Sequence, residues 1–215
     1  MAIIAPSLLS ADFFNLKKEI ETLEKTKCEM LHLDVMDGNY VPNISFGLPV
    51  IKSIRDHTKL LFDTHLMISN PDKFALDFIE AGSDSIIFHP ETSKNPKKLI
   101  KEIQKQGCAA GLCINNNVPV SKAFSYLNSA DLILIMSVNA GFGGQKFNPE
   151  ALKKVKELRE KADKLGQDII ISIDGGINDK TGKRAILMGA DVLVAGNYIF
   201  KARNPEKAIQ KLREL

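Results

Sequence analysis

The chain has 215 residues, of which 44% are hydrophobic and 26% are charged, which is typical of a globular protein with one sizeable core. We therefore expect a single domain over residues 1–215. The formal net charge of +3 comes from basic residues interleaved with acidic ones, so we expect no nucleic-acid partner. No stretch approaches the roughly 18 apolar residues of a membrane span, and no basic segment precedes an apolar run, so we expect a cytoplasmic protein with no membrane partner.

Short β-branched runs recur along the whole chain and predict eight strands. In chain order they are IIAPSLL from Ile3, MLHLDVM from Met30, LLFDTHLMI from Leu60, DSIIFH from Asp84, CAAGLCI from Cys108, DLILIMSV from Asp131, DIIISID from Asp168 and DVLVAG from Asp191. Amphipathic segments such as FALDFIEA and LKKVKELREKA lie between them and predict helices. Asn-Pro pairs at 70–71, 95–96, 148–149 and 204–205 predict helix starts. Glycines predict helix ends at Gly82, Gly107, Gly166 and Gly189.

The alternation of strands and helices predicts an α/β protein with a single (β/α)8 TIM barrel. An open doubly wound sheet is the structural alternative, and it is disfavoured because no G-x-G-x-x-G follows the first strand. In a barrel one face of each strand lines the lumen. A functional site is expected at the C-terminal ends of the strands.

Polar side chains recur on one face of strands two, three and seven. Side-chain alternation puts His32 and Asp34 on one face of strand two, His65 on the same face of strand three, and Asp174 at the end of strand seven. These groups can converge on one opening, where two buried carboxylates without a partner would be costly. A divalent cation removes that cost, and imidazole with carboxylate favours Zn, Fe(II), Mn or Co. We therefore predict a site for one such ion.

Glycine-bearing turns follow strands six, seven and eight. Glycine lets backbone N–H groups approach an anion closely, and the last two turns often bind phosphate in barrels. We therefore predict a phosphorylated small molecule as the ligand. The turns contain Gly141, Gly143, Gly144, Gly175, Gly176 and Gly196, with Asn197 following the last.

Three methionines lie just beyond the predicted ligands: Met36, Met67 and Met136. Methionine is usually core filler, but three around a polar opening predict an apolar rim that excludes water. The remaining histidines differ in placement. His57 is expected at the surface, whereas His89 is either packed in the core or supports the site from behind.

In order, the motifs APSLLSADF, LHLDVMDG with YVPN, HLM, MSV with GFGGQKF, and IDGG resemble those of the ribulose-phosphate 3-epimerase family over essentially the whole chain. The resemblance implies one divalent metal per subunit and interconversion of D-ribulose 5-phosphate and D-xylulose 5-phosphate in the pentose phosphate pathway. We also expect a homo-oligomer. The resemblance implies that His32, Asp34, His65 and Asp174 bind the metal, with Asp34 and Asp174 as base and acid. It implies substrate contacts from Ser10, His65, Gly141, Phe142, Gly143, Gly144, Asp174, Gly175, Gly176, Gly196 and Asn197.

The chain departs from the family pattern near the predicted phosphate end. Ala140 replaces a proline, Asn197 replaces a serine, and Asn116 and Asn117 lie in a segment that usually contains proline or glycine. These changes bear on phosphate affinity, not on the predicted ligands.

Other functions stay open from the sequence alone. An epimerase for allulose 6-phosphate would use the same site, and a non-catalytic sensor could bind a sugar phosphate there. A barrel decarboxylase is disfavoured because Met36 stands where its Asp-x-Lys pattern needs lysine after Asp34.

Overall fold

The computed structural model describes residues 2–26 and 28–215. Eight strands alternate with helices along the chain. The strands are β1 Ile3–Pro6, β2 Met30–Met36, β3 Leu61–Met67, β4 Ser85–Phe88, β5 Ala109–Ile114, β6 Leu132–Met136, β7 Ile170–Asp174 and β8 Val192–Ala195. The α-helices are α1 Leu16–Lys25, α2 Leu48–Arg55, α3 Pro71–Glu80, α4 Pro96–Lys105, α5 Glu150–Leu165, α6 Asp179–Leu187, α7 Asn197–Phe200 and α8 Pro205–Arg213. Each predicted strand is therefore confirmed.

All strands belong to one parallel sheet with the order β1-β8-β7-β6-β5-β4-β3-β2. The two ends of this sheet meet, because a parallel bridge joins Ser7 after β1 to His32 in β2. At this junction between the end of β1 and β2, the seam of the barrel, the Ser7 hydroxyl also donates to Asp34 Oδ2 at 2.6 Å. This nearly closed ring confirms the (β/α)8 TIM barrel and rules out the open doubly wound sheet.

Side-chain alternation divides the apolar residues into two layers. Leu31, Leu33 and Val35 of β2 pack beneath the surrounding helices. Lumen-facing residues such as Leu134 and Val194 fill the inside of the barrel. The polar residues of β2, β3 and β7 share the lumen face, so the strand pleat aims them at a common space.

Most predicted helix ends agree with the structure. Helices α3, α4 and α8 begin at the proline of an Asn-Pro pair, and Gly166 ends α5 with a left-handed φ of 64°. The pair at 148–149 is an exception, because α5 begins at Glu150 and Asn148 accepts a hydrogen bond from the Glu150 amide. The connection from β5 to β6 holds a 3₁₀ helix, Val120–Tyr126, where alternation predicted an α-helix.

Within residues 2–26 and 28–215, no helix has the length and apolar character of a membrane span.

Candidate active site

Four ionisable side chains converge at the C-terminal end of the barrel. His32 and Asp34 of β2, His65 of β3 and Asp174 of β7 each present one ligand atom, and these atoms all lie within 4.8 Å of one another. Asp34 Oδ1 lies 3.4 Å from both His32 Nε2 and His65 Nδ1. The structure therefore brings together all four residues of the predicted metal site.

The imidazole atoms that face Asp34 have an unusual environment. His32 Nε2 and His65 Nδ1 are buried and have no hydrogen-bond partner among the described residues. Buried polar atoms are normally satisfied, and two imidazole nitrogens facing one carboxylate oxygen are arranged as a cation would require. Imidazole with carboxylate suits Zn, Fe(II), Mn or Co. These residues therefore fit a divalent metal.

Two residues outside the predicted set hold these ligands in place. Asp63 Oδ2 lies 2.8 Å from His32 Nδ1, and the Ser85 hydroxyl donates to Asp63 Oδ1. Ser7 holds Asp34 Oδ2 through the seam. A carboxylate behind a ligating imidazole is a common way to fix its orientation. The sequence signal that could have identified Asp63 is its position two residues before His65, which puts both side chains on the same face of β3.

The two carboxylates differ in their readiness to ionise. Burial favours the neutral form of Asp34, but His32 and His65 outweigh it and hold the Asp34 pKa below its usual range. Burial, followed by the charge of Asp34, raises the pKa of Asp174 to about 7. Near neutral pH Asp34 is therefore ionised, whereas Asp174 is divided between its neutral and charged forms, a separation that suits one base and one acid.

The imidazoles differ as well. Burial opposes charge on His32, but Asp34 and Asp63 outweigh burial and raise the His32 pKa well above the ordinary value. Burial lowers the pKa of His65 to about 4, against the opposing effect of Asp34. A proton on His32 would compete with a metal ion, whereas His65 is already in the neutral form that ligation needs.

A cavity of about 650 Å³ opens above the carboxylates. His32 and His65 lie buried at its base, and the other predicted site residues line its walls. Those wall residues are Ser10, Asp34, Met36, Met67, Met136, Gly141, Phe142, Gly143, Gly144, Asp174, Gly175, Gly176, Gly196 and Asn197. Lys146 and Arg184 also line it and bring positive charge that no sequence pattern predicts.

The glycine turns pack too closely for side chains. Gly176 has a φ of 60°, and a Cβ there would lie 2.7 Å from the Phe147 backbone nitrogen. A Cβ on Gly144 would lie 2.5 Å from Asn197 Nδ2. The glycines of the turns after β6, β7 and β8 line the cavity, so backbone atoms form its wall there, and backbone N–H groups are the donors that an anion site on such turns uses.

The three methionines lie in the cavity wall and are almost fully buried. Met36 and Met67 pack with Val41, and Met136 belongs to the lumen layer. His57 is exposed, as predicted. His89 is fully buried, and its Nε2 lies 3.0 Å from His65 Nε2, which favours the supporting role over simple packing.

The family departures surround the same loops. Ala140 packs against the cluster of Met36, Val41 and Met67. The Asn116 amide donates to Asn139 Oδ1 at 3.2 Å, and its oxygen accepts from Asn148 at 2.9 Å. Asn117 is exposed. Side-chain hydrogen bonds thus link the loop after β5 to the loop after β6, on which the first glycine turn lies.

Known proteins resemble this chain in sequence and in fold. A family model described as "Ribulose-phosphate 3 epimerase family" matches residues 3–200. The chain is 41% identical over 214 residues to ribulose-phosphate 3-epimerase of Bacillus subtilis (strain 168), covering 99% of each. It is 41% identical over 217 residues to the cytoplasmic isoform of ribulose-phosphate 3-epimerase of Oryza sativa subsp. japonica, covering 99% of this chain and 93% of that one.

Solved structures of other proteins share the fold. A 3-hexulose-6-phosphate synthase matches with a TM-score of 0.68 at 18% identity, covering 100% of this chain and 99% of that chain. A mutant tryptophan synthase α-subunit of Pyrococcus furiosus matches with a TM-score of 0.72 at 11% identity, covering 100% and 98%. At these identities the likeness shows the barrel alone.

Proposed function

The chain belongs to the ribulose-phosphate 3-epimerase family, and from this we propose that it interconverts D-ribulose 5-phosphate and D-xylulose 5-phosphate at C3. The observation that carries the proposal is that two carboxylates, Asp34 and Asp174, reach one cavity from different strands beside two buried imidazoles. The opposite directions of their pKa shifts support it. The reaction needs this pair, because a proton must leave one face of C3 and another must arrive on the opposite face.

Asp34 and Asp174 divide the proton transfer between them. Ionised Asp34 accepts the C3 proton, which becomes acidic because it lies next to the C2 carbonyl. The resulting enediolate is planar at C3, so protonated Asp174 can donate to the other face. In the reverse direction the two residues exchange roles. They come from β2 and β7, which lie in different parts of the barrel wall.

His32, Asp34, His65 and Asp174 would hold one divalent metal ion. When bound, the ion would stabilise the negative charge that develops on the substrate oxygens. His32 and His65, each 3.4 Å from Asp34 Oδ1, would help to keep the Asp34 carboxylate directed at C3. Ser7 and Asp63 keep Asp34 and His32 in position from behind.

The glycine turns after β6, β7 and β8 would bind the phosphate group through backbone N–H groups. Ser10 lies between two of these turns, because a Cβ on Gly196 would overlap its hydroxyl and one on Gly143 would lie 3.5 Å from it. Met36, Met67 and Met136 would shield the reacting carbon from water.

We also propose a homo-oligomer in the cytoplasm. Exposed apolar side chains support assembly, because Phe14 is 94% exposed and Ile44 is 75% exposed on the loops after β1 and β2. Sedimentation of the parent and of Phe14→Ser tests it. A parent that sediments as a monomer at micromolar concentration contradicts it.

Turnover in deuterated water tests the function. Purified protein should interconvert the two pentose phosphates and place deuterium at C3, which NMR detects. The specificity constant should be higher for ribulose 5-phosphate than for allulose 6-phosphate. Substrate that binds without exchange would instead indicate a sensor, and preference for the six-carbon substrate would assign the other epimerase.

A further inference from the structure

A series of polar groups lies behind the candidate metal site. His65 Nε2 lies 3.0 Å from His89 Nε2. His89 Nδ1 has no hydrogen-bond partner among the described residues, and the nearest carboxylate oxygen to form an ion pair with it is Glu91 Oε1, at 3.7 Å. The Tyr40 hydroxyl donates to the same Glu91 oxygen at 2.7 Å. Because the Glu91 side chain is 45% exposed, the series runs from the interior to the surface.

Proton positions along this series follow from the metal end. His65 Nδ1 faces Asp34, so binding of a cation there requires a lone pair on Nδ1. A neutral imidazole then carries its proton on Nε2. That proton can be donated only if His89 Nε2 accepts it, so His89 must carry its own proton on Nδ1. This is the atom that faces the Glu91 carboxylate.

We propose that His89, which lies between His65 and the Glu91 carboxylate, is a positioning residue that fixes the tautomer of His65 and keeps His65 Nδ1 free for the metal. The inference rests on the proposed metal site. With the opposite tautomer, His89 would present a donor to His65 Nε2. The proton of His65 would then move to Nδ1, where it would exclude a cation.

The surroundings of His89 hold this arrangement in place. His89 is fully buried, its ring lies 4.6 Å from that of Tyr40, and it stacks on His65 at 5.1 Å. Burial raises the pKa of Tyr40 above its ordinary value, so the hydroxyl stays a donor. Burial would raise the pKa of Glu91, but His89 and Tyr40 outweigh it and hold that pKa at about 2.

The two candidate ligand histidines are supported in different ways. His32 faces the Asp63 carboxylate directly at 2.8 Å, which is the common arrangement behind a ligating imidazole. His65 reaches its carboxylate only through a second imidazole. Its tautomer therefore depends on Glu91, a residue whose side chain is partly in contact with solvent.

Nitrogen-15 NMR of the zinc-loaded protein tests the tautomers directly. The expected result is a His89 ring protonated on Nδ1 alone and a His65 ring protonated on Nε2 alone. A His89 ring that carries its proton on Nε2, or on both nitrogens, would overturn the proposal. Turnover and zinc binding of the same sample are measured in parallel, so failure of the tautomer alone leaves the proposed function standing.

Zinc affinity, measured by competition with a chelator, tests the contribution of His89. His89→Phe should weaken zinc binding about 10–100-fold. His89→Gln should restore most of the affinity, because an amide oxygen can accept from His65 Nε2. Thermal unfolding of the metal-free variants checks that each is folded. Equal zinc affinity in parent and a folded His89→Phe would overturn the proposal.

Glu91→Met tests the outer end of the series without disturbing the interior. Zinc affinity should fall about three- to tenfold, less than for the direct partner of a ligand. Glu102→Met is the matched control, because the Glu102 side chain is 41% exposed and pairs with a lysine on α4. Equal losses in the two variants would contradict the proposal.

Cys113 offers a competing role for His89, as a metal ligand. The number of zinc ions bound by the parent and by His89→Phe distinguishes that role from the tautomer proposal. Its sulfur and one nitrogen each of His65 and His89 lie within 4.8 Å of one another. Two zinc ions per chain, with one lost in His89→Phe, would make this cluster a second metal site and overturn the tautomer proposal. A parent that binds no zinc would overturn both the tautomer proposal and the proposed metal site.

Discussion

Replacing Asp174 with asparagine removes one of the two proposed proton carriers and leaves the other in place. The amide keeps the size of the carboxyl group and can still offer an oxygen to a cation. It cannot donate or accept the proton that moves at C3. Asp174→Asn should therefore leave a folded protein with a specific chemical defect.

The expected loss in turnover is about 10²–10⁴-fold, the usual contribution of a positioned acid or base. This corresponds to about 3–5 kcal/mol in the activation barrier. The higher end is expected, because Asp174 near pH 7 is poised between its two forms, with a pKa of about 7. Loss of a charged ligand would add a decrease in metal affinity, which assays at saturating metal remove.

The diagnostic assay is solvent exchange measured separately on each epimer. With Asp34 intact, one epimer should still lose its C3 hydrogen to deuterated water while epimerisation stops. Asp34→Asn is the matched variant and should retain exchange on the other epimer. Near-normal epimerisation by either purified variant would refute the two-carboxylate mechanism. Equal exchange of both epimers by Asp174→Asn would refute the assignment of opposite faces.

The same variant changes the pH dependence of stability in metal-free protein. Folding raises the Asp174 pKa from 3.8 to about 7, so the folded state binds more protons than the unfolded chain between about pH 4 and pH 7. Asp174 therefore makes the protein lose stability as pH rises through this window, by at most about 4 kcal/mol. Urea unfolding at pH 4.5 and 7.5 should show that the free energy of unfolding falls less between these two pH values for Asp174→Asn than for the parent.

Three further predictions concern the surroundings of the site. Arg184→Gln should raise KM about tenfold with kcat little changed, since a charge-assisted contact is worth about 1.4 kcal/mol; Lys183→Gln, outside the cavity lining, should change neither. Gly107 has a φ of 77° and open space where a Cβ would lie, so Gly107→Ala should lower the free energy of unfolding in urea by about 1 kcal/mol. Gly176→Ala adds an overlap with the Phe147 backbone and should lower it by about 3 kcal/mol. Equal losses in the two variants would contradict the close packing at Gly176. Asp63→Asn should weaken zinc binding about 10–100-fold, and unchanged affinity would remove its supporting role.

Strand alternation predicted the main geometry of the candidate site. The period of two puts His32 and Asp34 on one face of β2, and the parallel register places His65 directly beside Asp34. Closure of the barrel then brings in Asp174 from β7. These positions follow from local periodicity and from one topological rule, so the sequence alone was sufficient.

Other features depend on distances that periodicity does not determine. The hydrogen bond from Ser7 to Asp34 crosses the seam, and its register is set only when the ring closes. The role of His89 depends on which ring atom faces His65. Arg184 of α6 lines the cavity only because α6 packs beside the loops that follow the neighbouring strands. Each is a tertiary relation between segments distant in sequence.

The pairing of the first strand with the last strand also constrains how the protein can be made. Strand β1 pairs with β8 through residues such as Ile3 and Val192, which are separated by most of the chain. A growing polypeptide therefore releases its first strand long before the partner exists, and such long-range pairing is slow to form. Because the Ser7 amide also donates to the Ala195 carbonyl, the residue that holds the proposed general base reaches its final position only after the last strand has been synthesised.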